Sequence, residues 1–338
     1  MKTVMVTGPG EISVLEVEQP SAGPRDVLVK MKACGICGSD HMYTTYGGIP
    51  PRQGATPLGH EPVGEIVAVG AEVTGFAVGD HVVMDTMRFT DGLLGSGGAQ
   101  GGFSDYVVVK DAAAGVQLRV VPSGIPWEVV ALNEPMAVAR HAVNRLDPSP
   151  HDKVAVFGAG PIGLGALLSL KRRGVAHVVV IDIVPNRLEK ALAIGADAVI
   201  NSAEENVVER LVELHGRSTA LGVRGLKAAT DGYIDAAGAP AVFQTVVEAA
   251  GHGAKLTVVA VHKKPVELDL GALLTTELTI SLSMGYPTEI FEVTDDIIEN
   301  WQKYALIISD RIPFDRVEEA FELAATPGAA EKVVVTFD

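Results

Sequence analysis

The glycine-rich turn G-A-G-P-I-G at positions 158–163 is the sequence feature that most constrains this chain. It follows the β-type run 153–157 and opens a helical stretch, the arrangement that binds a dinucleotide pyrophosphate at a helix N-terminus. Gly158 allows the tight turn, Gly160 lets the backbone approach the phosphates, and Gly163 lets helix and strand pack closely. A glycine-rich turn without a ligand is the alternative interpretation. The candidate cofactor-binding residues of the turn are Gly158, Gly160, Pro161, Ile162 and Gly163.

From the proline-containing stretch 147–152 onward, β-branched runs alternate with helical stretches. Near-continuous apolar strands joined through helices predict a parallel sheet covered on both faces. We therefore expect an α/β fold with a doubly wound domain and a six-stranded parallel sheet. The predicted strands are Val154–Phe157, Val178–Asp182, Ala198–Ile200, Gly232–Asp235, Leu256–Val261 and Leu278–Leu282. Residues 1–146 instead show short β-type runs separated by Gly and Pro, which predicts a mainly β domain.

An acidic residue, Asp182, closes the second predicted strand, 19 residues after Gly163. A carboxylate at this place accepts hydrogen bonds from the adenosine ribose and repels a 2′-phosphate, so Asp182 predicts NAD in preference to NADP. Arg187, five residues further on, is a candidate to flank the adenosine. Aspartates that end strands are also common turn formers, and Arg187 could equally be a solvated helix residue, so both alternatives stay open.

Composition and charge exclude several classes of partner. The 338 residues carry a formal net charge of -15, which repels a phosphate backbone, so we expect no nucleic-acid partner. The apolar runs are far shorter than the about 18 residues of a membrane span, and we expect no membrane association. The first residues lack the apolar core of a secretory signal. Only Cys34 and Cys37 are present, which is consistent with a reducing compartment and predicts a cytoplasmic location.

Side chains in the first half of the chain offer sulfur, imidazole and carboxylate ligands. They are Cys37, His60, Glu61 and Glu134. A catalytic zinc needs about three protein ligands and a position open to water or substrate, and this mixture can provide both. The residue types alone leave other interpretations open, because Cys37 could be a buried thiol, His60 a turn histidine and Glu134 a carboxylate at a helix start.

Short motifs surround these candidates: A-C-G-I-C-G-S-D at 33–40, G-H-E-P-V-G at 59–64 and N-E-P at 133–135. Together they resemble the metal segments of the zinc-dependent medium-chain dehydrogenase/reductase family, the alcohol dehydrogenase superfamily. An acidic residue in the third motif is similar to the sorbitol, threonine and butanediol dehydrogenase branch. Further matches at 78–82, at 101–106 and in the nucleotide loop extend the resemblance over essentially the whole chain.

The resemblance implies a domain organisation that agrees with the composition boundaries. A GroES-like β-rich catalytic domain would comprise residues 1–146 and 287–338. A Rossmann NAD-binding domain, residues 147–286, would be inserted between these two segments. Members of this branch are commonly dimers or tetramers, so we expect a homodimer or a homotetramer.

The resemblance also assigns metal ligands. Cys37 and His60 would bind a catalytic zinc, and Glu134 would take the place of the replaced cysteine. Either Glu61 or water would complete the zinc shell. Many relatives hold a second, structural zinc on four cysteines in a lobe that corresponds to residues 85–100, where this chain has no cysteine. We therefore expect one catalytic zinc per chain and no structural zinc.

The predicted reaction is reversible hydride transfer between NAD and a small secondary alcohol, diol or polyol. The substrate hydroxyl would displace water or Glu61 from zinc, whose charge stabilises the alkoxide. Ser39, which matches the family hydroxyl beside the metal, would accept the alcohol proton. Relatives usually carry a relay histidine five residues after the zinc cysteine, where this chain has Met42. Either His41, one place earlier, replaces that relay or the proton leaves through water.

Two other functions stay open at this point. A metal-free, NADPH-dependent reductase of quinones or enones belongs to the same superfamily, but the combination of Cys37, His60 and Glu134 argues against it. A non-catalytic dinucleotide-binding or redox-sensing protein would keep the glycine-rich turn without turnover. The departure from the family pattern at Met42 leaves this second alternative open.

Overall fold

The computed structural model describes residues 1–49, 55–219, 225–326 and 328–338. The chain divides into two compact units. The first unit comprises Met1–Glu134 and Ile290–Asp338, and the second comprises Pro135–Glu289. The Rossmann domain expected from the sequence, residues 147–286, begins 12 residues after the start of the second unit and ends three residues before its end. Those limits stay a prediction.

The strands alternate with long loops in the first unit and with helices in the second. In chain order they are β1 Lys2–Gly8, β2 Glu11–Glu16, β3 Val27–Gly35, β4 Thr56–Pro57, β5 Glu61–Val69, β6 His81–Met84, β7 Tyr106–Val109, β8 Leu118–Val121, β9 Lys153–Phe157, β10 His177–Asp182, β11 Ala198–Asn201, β12 Gly232–Asp235, β13 Lys255–Val258, β14 Thr279–Leu282, β15 Asp310–Pro313 and β16 Val333–Thr336.

The helices are α1 Gly38–Tyr46, α2 Trp127–Val130, α3 Asn133–Leu146, α4 Pro161–Arg172, α5 Pro185–Ile194, α6 Val207–His215, α7 Pro240–Ala249, α8 Leu270–Leu273, α9 Ile290–Ala305 and α10 Val317–Ala325, with 3-10 turns at Thr86–Arg88 and Phe314–Arg316. Within the part of the chain that the structure describes, every helix is too short or too polar to cross a bilayer.

The second unit is built on the six-stranded sheet β11-β10-β9-β12-β13-β14, in which every neighbouring pair is parallel. Its strands are valine- and isoleucine-rich, and the side chains of Val178, Val179 and Val180 are fully buried, as a sheet covered on both faces requires. The strand order reverses between the adjacent strands β9 and β12. This is the doubly wound Rossmann topology that the sequence predicts.

One strand, β13, ends earlier than the sequence predicts. The apolar run suggested a strand over Leu256–Val261, but β13 ends at Val258. The N–H of Val259 makes a last ladder bond to the carbonyl of Asp235 at 3.0 Å, and the next N–H, of Ala260, donates to the same carbonyl at 3.1 Å, which ends the regular pattern. The chain therefore leaves the sheet while its side chains are still apolar.

Helix α3 explains why the second compact unit begins at residue 135. A Cβ added to Gly165 on α4 would lie 2.8 Å from the side chains of Met136 and Ala139 on α3. The helices α3 and α4 thus pack closely at a glycine. Most of α3 belongs to the second unit by this packing, although its first two residues belong to the first unit.

The first unit is β-rich, as expected. Its larger sheet has the order β15-β16-β3-β5-β6-β8, with β7 also paired to β3, and a smaller sheet has the order β2-β1-β4. Among its described residues, two apolar clusters contribute to its core. One includes Cys34, Leu58 and Phe103, and the other includes Met31 and Ile66. The long central strand β3 contributes to both clusters and carries the chain directly into α1.

Candidate metal centre and dinucleotide site

The carboxylate of Glu61 lies where three neighbouring strands of the first unit meet. On the central strand β3, Gly35 pairs with Glu61 on β5 on one side and with Val334 on β16 on the other. A side chain added at position 35 would overlap with the carboxylate of Glu61. The strand register therefore places a glycine opposite Glu61, which leaves room for its side chain above β3.

A buried lysine pairs with this carboxylate. Lys332, directly before β16, is 3% exposed, and its Nζ donates to Glu61 Oε2 and, at 3.0 Å, to the carbonyl of Ile36. Burial lowers the pKa of Lys332, but Glu61 and Cys37 outweigh burial and raise the pKa above its ordinary value. Lys332 was not predicted as a site residue, because a charged residue before the apolar run at 333–335 is a weak signal.

Cys37 is positioned by the first turn of α1. It directly precedes the first helical residue, and its N–H donates to Asp40 Oδ2 at 2.9 Å. The other carboxylate oxygen of the fully buried Asp40 lies 3.4 Å from His60 Nδ1. A carboxylate against one ring nitrogen orients a histidine and increases the basicity of the other nitrogen. Asp40 was not predicted as a site residue; the signal in the sequence was an acidic residue three positions after a helix cap.

His60 is placed by a turn that only glycine accommodates easily. Gly59 has φ 97°, and a Cβ there would lie 2.6 Å from a main-chain nitrogen. The Nε2 atom of His60 lies 3.3 Å from Ser39 Oγ. Burial lowers the pKa of His60, but the neighbouring Asp40 and Cys37 outweigh it, and the pKa is raised well above its ordinary value. The surroundings of this imidazole thus favour a positive charge.

One ligand atom from each of Cys37, His60 and Glu61 lies within 4.8 Å of the other two. Among the residues that the structure describes, this is the only group of three or more His, Cys, Asp or Glu side chains with that property. Sulfur, imidazole nitrogen and carboxylate oxygen bind zinc at about 2.0–2.3 Å, so ligand atoms on one ion lie within roughly 4.5 Å of each other. The donor types and the spacing therefore fit one zinc ion with small side-chain adjustments.

Glu134, the fourth ligand predicted from the sequence, is not part of this cluster. It is the second residue of α3 and is half-buried. Asn133 anchors the start of this helix, because its amide donates to the carbonyl of Ile290 at 2.7 Å and accepts from the hydroxyl of Thr294 at 2.7 Å. Burial raises the pKa of Glu134 to about 8, while His60 lowers it. Its role as a ligand stays a prediction.

The two proton-transfer candidates lie on the same helix, α1. Ser39 is in its first turn, beside His60. The ring of His41 packs edge-on against the ring of Phe321, with centroids 6.0 Å apart. Met42, at the position where relatives usually have a histidine, is 39% exposed. The structure thus places Ser39 at the metal cluster and His41 against an aromatic side chain of α10.

The glycine-rich turn in the second unit has the geometry that its spacing predicts. Gly158 has φ 95°, and a Cβ on Gly163 would overlap with the carbonyl oxygen of Gly158. Gly160 caps α4 without a side-chain hydrogen bond, and a Cβ built there has no heavy atom of the described residues within 4 Å apart from its chain neighbours. Open space and uncapped N–H groups at a helix N-terminus fit a pyrophosphate. Pro161 and Ile162 open this helix.

Asp182 ends β10 and is 9% exposed. Its Oδ2 accepts from the N–H of Ala159 at 2.7 Å, and its Oδ1 accepts from Ile183 and Val184 at 2.7 and 2.9 Å. The carboxylate therefore ties the glycine-rich turn to the loop after β10. A carboxylate offers about four lone-pair sites, so about one is left for a ribose hydroxyl. Arg187 lies half-buried in the first turn of α5.

Comparisons with known proteins match both units. Residues 23–119 match the family model described as an alcohol dehydrogenase GroES-like domain, and residues 161–300 match the model described as a zinc-binding dehydrogenase. The chain is 30% identical to (R,R)-butanediol dehydrogenase of Bacillus subtilis (strain 168), an alignment that covers 96% of each protein. The chain belongs to the zinc-binding alcohol dehydrogenase family.

Other members of this family are similarly related. L-threonine 3-dehydrogenase of Pectobacterium atrosepticum is 29% identical, over 100% of this chain and 94% of that protein. The crystal structure of 2R,3R-butanediol dehydrogenase from Bacillus subtilis superposes with a TM-score of 0.85 at 28% identity and covers 99% of both chains. The likeness therefore extends over the two units and not over one motif alone.

As a zinc-binding alcohol dehydrogenase, this protein is an oxidoreductase of alcohols or polyols, and the family implies zinc and a nicotinamide cofactor. The family, the fold class and the enzyme class predicted from the sequence are confirmed. The two alternatives, a metal-free quinone or enone reductase and a non-catalytic dinucleotide-binding protein, are not favoured.

Proposed function

We propose that this dehydrogenase interconverts a small secondary alcohol, diol or polyol with the corresponding ketone, with NAD as the hydride acceptor. The observation that carries the proposal is the cluster of Cys37, His60 and Glu61, whose ligand atoms lie within 4.8 Å of each other. Relatives named for butanediol and for threonine both oxidise a hydroxyl on a secondary carbon, which supports this substrate class.

The side chains have separate tasks in this proposal. Cys37, His60 and Glu134, with Glu61 or water, hold a zinc ion that acts as a Lewis acid toward the substrate oxygen when bound. Asp40 orients the imidazole of His60 from the opposite ring nitrogen, at 3.4 Å. Lys332 neutralises Glu61 and keeps this carboxylate in place.

Proton transfer begins at Ser39 in the proposed mechanism. Its Oγ lies 3.3 Å from His60 Nε2, so it can accept the proton of a hydroxyl held at the metal cluster. From Ser39 the proton passes either to His41 or to water. Turnover of His41→Gln over a pH series distinguishes these routes, because loss of a relay shifts the pH profile while a water route leaves it unchanged.

The decisive experiment combines metal analysis with a substrate panel. Protein purified without added zinc is analysed for metal, and NADH formation is followed with the stereoisomers of 2,3-butanediol, L-threonine, sorbitol and 2-propanol. We expect about one zinc per chain and turnover of at least one secondary alcohol. Protein without zinc that reduces quinones with NADPH would support the metal-free alternative. Bound NADH without turnover of any alcohol or ketone would support the non-catalytic alternative.

We propose one catalytic zinc per chain and no structural zinc, because hydrogen bonds hold the segment 85–100. The Gln100 side chain exchanges two hydrogen bonds of 2.9 Å with the backbone of Val108 and donates to Asp91 at 3.1 Å. Lys110 also pairs with Asp91, at 3.3 Å. A metal content near two zinc ions per chain would overturn this proposal.

The proposed preference for NAD rests on the negative charge of Asp182. Asp182→Asn keeps an oxygen acceptor for the turn but removes the charge, and Asp182→Ala removes both. We expect the ratio of kcat/KM for NAD to kcat/KM for NADP to fall about tenfold in Asp182→Asn. An unchanged ratio in both variants would show that Asp182 caps the turn after β10 but does not select the cofactor.

Arg187→Ala tests the proposed contact with the adenosine. We measure it as the affinity of the protein for AMP.

We propose that a second copy of this chain covers the free edge of the six-stranded sheet, which makes the protein a homodimer or a homotetramer. The edge strand β14 and its flanks expose large apolar side chains: Leu282 is 71% exposed, Met284 88% and Leu274 78%. Unpaired edges with exposed apolar residues favour pairing with another chain. Light scattering should give at least twice the monomer mass, and Met284→Lys should lower the mass.

The cytoplasm is the location that we propose, because Cys37 must be a reduced thiol to bind a metal, and both cysteines are free. Fractionation of cells that express the protein tests this location.

We also propose two folding domains. One comprises residues 1–146 with 287–338, and the other comprises residues 147–286. Limited proteolysis that cuts first near those limits would support the assignment.

A further inference from the structure

A buried carboxylate ends the strand β12 in the middle of the parallel sheet. Asp235 is fully buried, and its Oδ1 accepts from the N–H groups of Ala237 and Gly238 at 3.0 and 2.9 Å. Its Oδ2 lies 2.7 Å from His262 Nε2. Hydrogen bonds that involve a charged group in a buried place are among the strong ones, so this pair holds its two segments firmly together.

His262 lies in the loop after β13, which is joined to the end of β12 by several contacts. The backbone carbonyl of Asp235 accepts from Val259 and Ala260 at 3.0 and 3.1 Å. The His262 ring packs edge-on against Phe243 on α7, with centroids 5.5 Å apart. Between these anchored residues, Val261 is 73% exposed. The loop is thus fixed on both sides of one exposed apolar residue.

The position of this loop in the sheet indicates its ligand. In a doubly wound sheet, dinucleotides lie at the carboxyl ends of the strands, across the point where the strand order reverses. Here that point lies between β9 and β12, with the glycine-rich turn after β9 and Asp182 at the end of the neighbouring β10. If the pyrophosphate lies over β9 and the adenosine over β10, the remaining half extends over the ends of β12 and β13.

We propose that His262 is a positioning residue for the nicotinamide half of the cofactor. Through its bond to Asp235 it holds the loop 259–262 so that Val261 presents a preformed apolar surface to the nicotinamide ribose and ring. This inference rests on the proposed function only in that the protein binds a nicotinamide dinucleotide. Because Asp235 and Phe243 hold the loop through these contacts, the free energy of binding is not reduced by ordering it.

The experiment compares two ligands that share the adenosine diphosphate half. NADH contains the nicotinamide, whereas ADP-ribose lacks it, and both affinities can be measured by calorimetry without any alcohol substrate. In His262→Leu, the loss of the bond to Asp235 frees the loop. We expect NADH to bind about tenfold more weakly, with less than about a twofold change for ADP-ribose.

Two further variants make the comparison specific. His262→Gln keeps a donor for Asp235, and we expect it to restore NADH affinity to within about threefold of the wild type. His252→Leu is the matched control, because His252 precedes the same strand at its other end and pairs with Glu277 at 3.6 Å. This control should change neither affinity.

Equal weakening of NADH and ADP-ribose in His262→Leu would overturn the proposal, because it would indicate general loosening of the second unit. Unchanged affinity for both ligands would overturn it as well. Failure of the proposed function is a separate result: wild-type protein would then bind NADH without oxidising any alcohol, and the ligand comparison would still be measurable.

Discussion

The glycine-rich turn and the metal cluster offer different kinds of binding groups to their ligands. The turn is one continuous segment, 158–163, and it offers main-chain N–H groups and empty space. The cluster collects Cys37, His60 and Glu61 from two segments and offers side-chain atoms. An anion site made of backbone can be encoded in six neighbouring residues, whereas a cation site made of side chains depends on how distant strands pair.

The two regions also differ in buried charge. In the cluster, the buried carboxylate of Glu61 is paired with Lys332, and the buried carboxylate of Asp40 faces a ring nitrogen of His60. The turn has no charged side chain of its own. The carboxylate of Asp182, which contacts the turn, accepts hydrogen bonds from three backbone N–H groups. We therefore expect removal of a ligand side chain to abolish metal binding at the cluster. Addition of a side chain to a glycine of the turn should weaken dinucleotide binding.

The largest expected effect is on the cluster. Cys37→Ala removes a ligand, and Lewis-acid stabilisation is worth several kcal/mol, so turnover should fall by roughly a thousandfold or more. Zinc content should fall with it, while NADH affinity stays within about twofold, because the turn is untouched. Cys34→Ala is the matched control: this neighbouring cysteine is buried in an apolar cluster and should keep both zinc and turnover. Substantial turnover by Cys37→Ala would remove the cysteine from the metal site.

The second effect tests the balance of buried charge. Lys332→Met leaves Glu61 buried without its partner, and we expect the free energy of unfolding of the first unit to fall by about 3 kcal/mol. Urea unfolding followed by tryptophan fluorescence reports on this unit alone, because both tryptophans, Trp127 and Trp301, belong to it.

The control for this effect is Lys32→Met, which breaks a more exposed pair with Glu65 at 3.7 Å. It should cost less than about 1 kcal/mol. Equal losses in Lys32→Met and Lys332→Met would mean that the buried pair has no special role in the first unit.

The third effect tests the turn by addition of a single methyl group. Within the described part of the chain, a Cβ on Gly160 meets no atom within 4 Å beyond its chain neighbours, so Gly160→Ala should fold normally. Since the methyl group occupies the space that the pyrophosphate needs, NADH should bind about tenfold more weakly, with zinc content unchanged. Gly124→Ala, at another open position, is the control. Normal NADH affinity in Gly160→Ala would show that the cofactor does not approach this backbone.

A last effect, outside both sites, concerns the stability of the second unit at acid pH. Burial, followed by the positive neighbours His177 and Lys153, lowers the pKa of His215 to about 4. The unfolded chain has a histidine pKa of about 6.5. Between about pH 4 and about pH 6.5, His215 is therefore protonated in the unfolded chain but not in the folded chain. Stability should accordingly fall by roughly 2 kcal/mol as the pH drops from about 6.5 to 4.

Hydrogen exchange in the strands β9 to β12 measures this loss, and His215→Gln should flatten the pH dependence. The exposed His151 in the same unit supplies the control, His151→Gln, which should keep the wild-type slope. A steep slope that persists in His215→Gln would assign the acid sensitivity to another group.

The sequence predicted the larger features of both regions and missed particular contacts. The six parallel strands and the β-rich first unit are confirmed, because hydrophobic periodicity and glycine spacing act over a few neighbouring residues. The predicted end of β13 was wrong, because Val259 and Ala260 both donate to the carbonyl of Asp235 and the alternating ladder stops there. The roles of Ser39, His41 and Glu134 stay predictions.

What the sequence by itself determined is therefore the local part of this protein: the glycine-rich turn, its strand and helix, and the residue types that can bind zinc. Only the tertiary structure decided that Gly35 leaves room for Glu61, that Lys332 neutralises it and that Asp40 faces His60. The physical reason is that backbone conformation is set by neighbours in sequence, whereas buried charges are paired by strand register between residues that lie far apart along the chain.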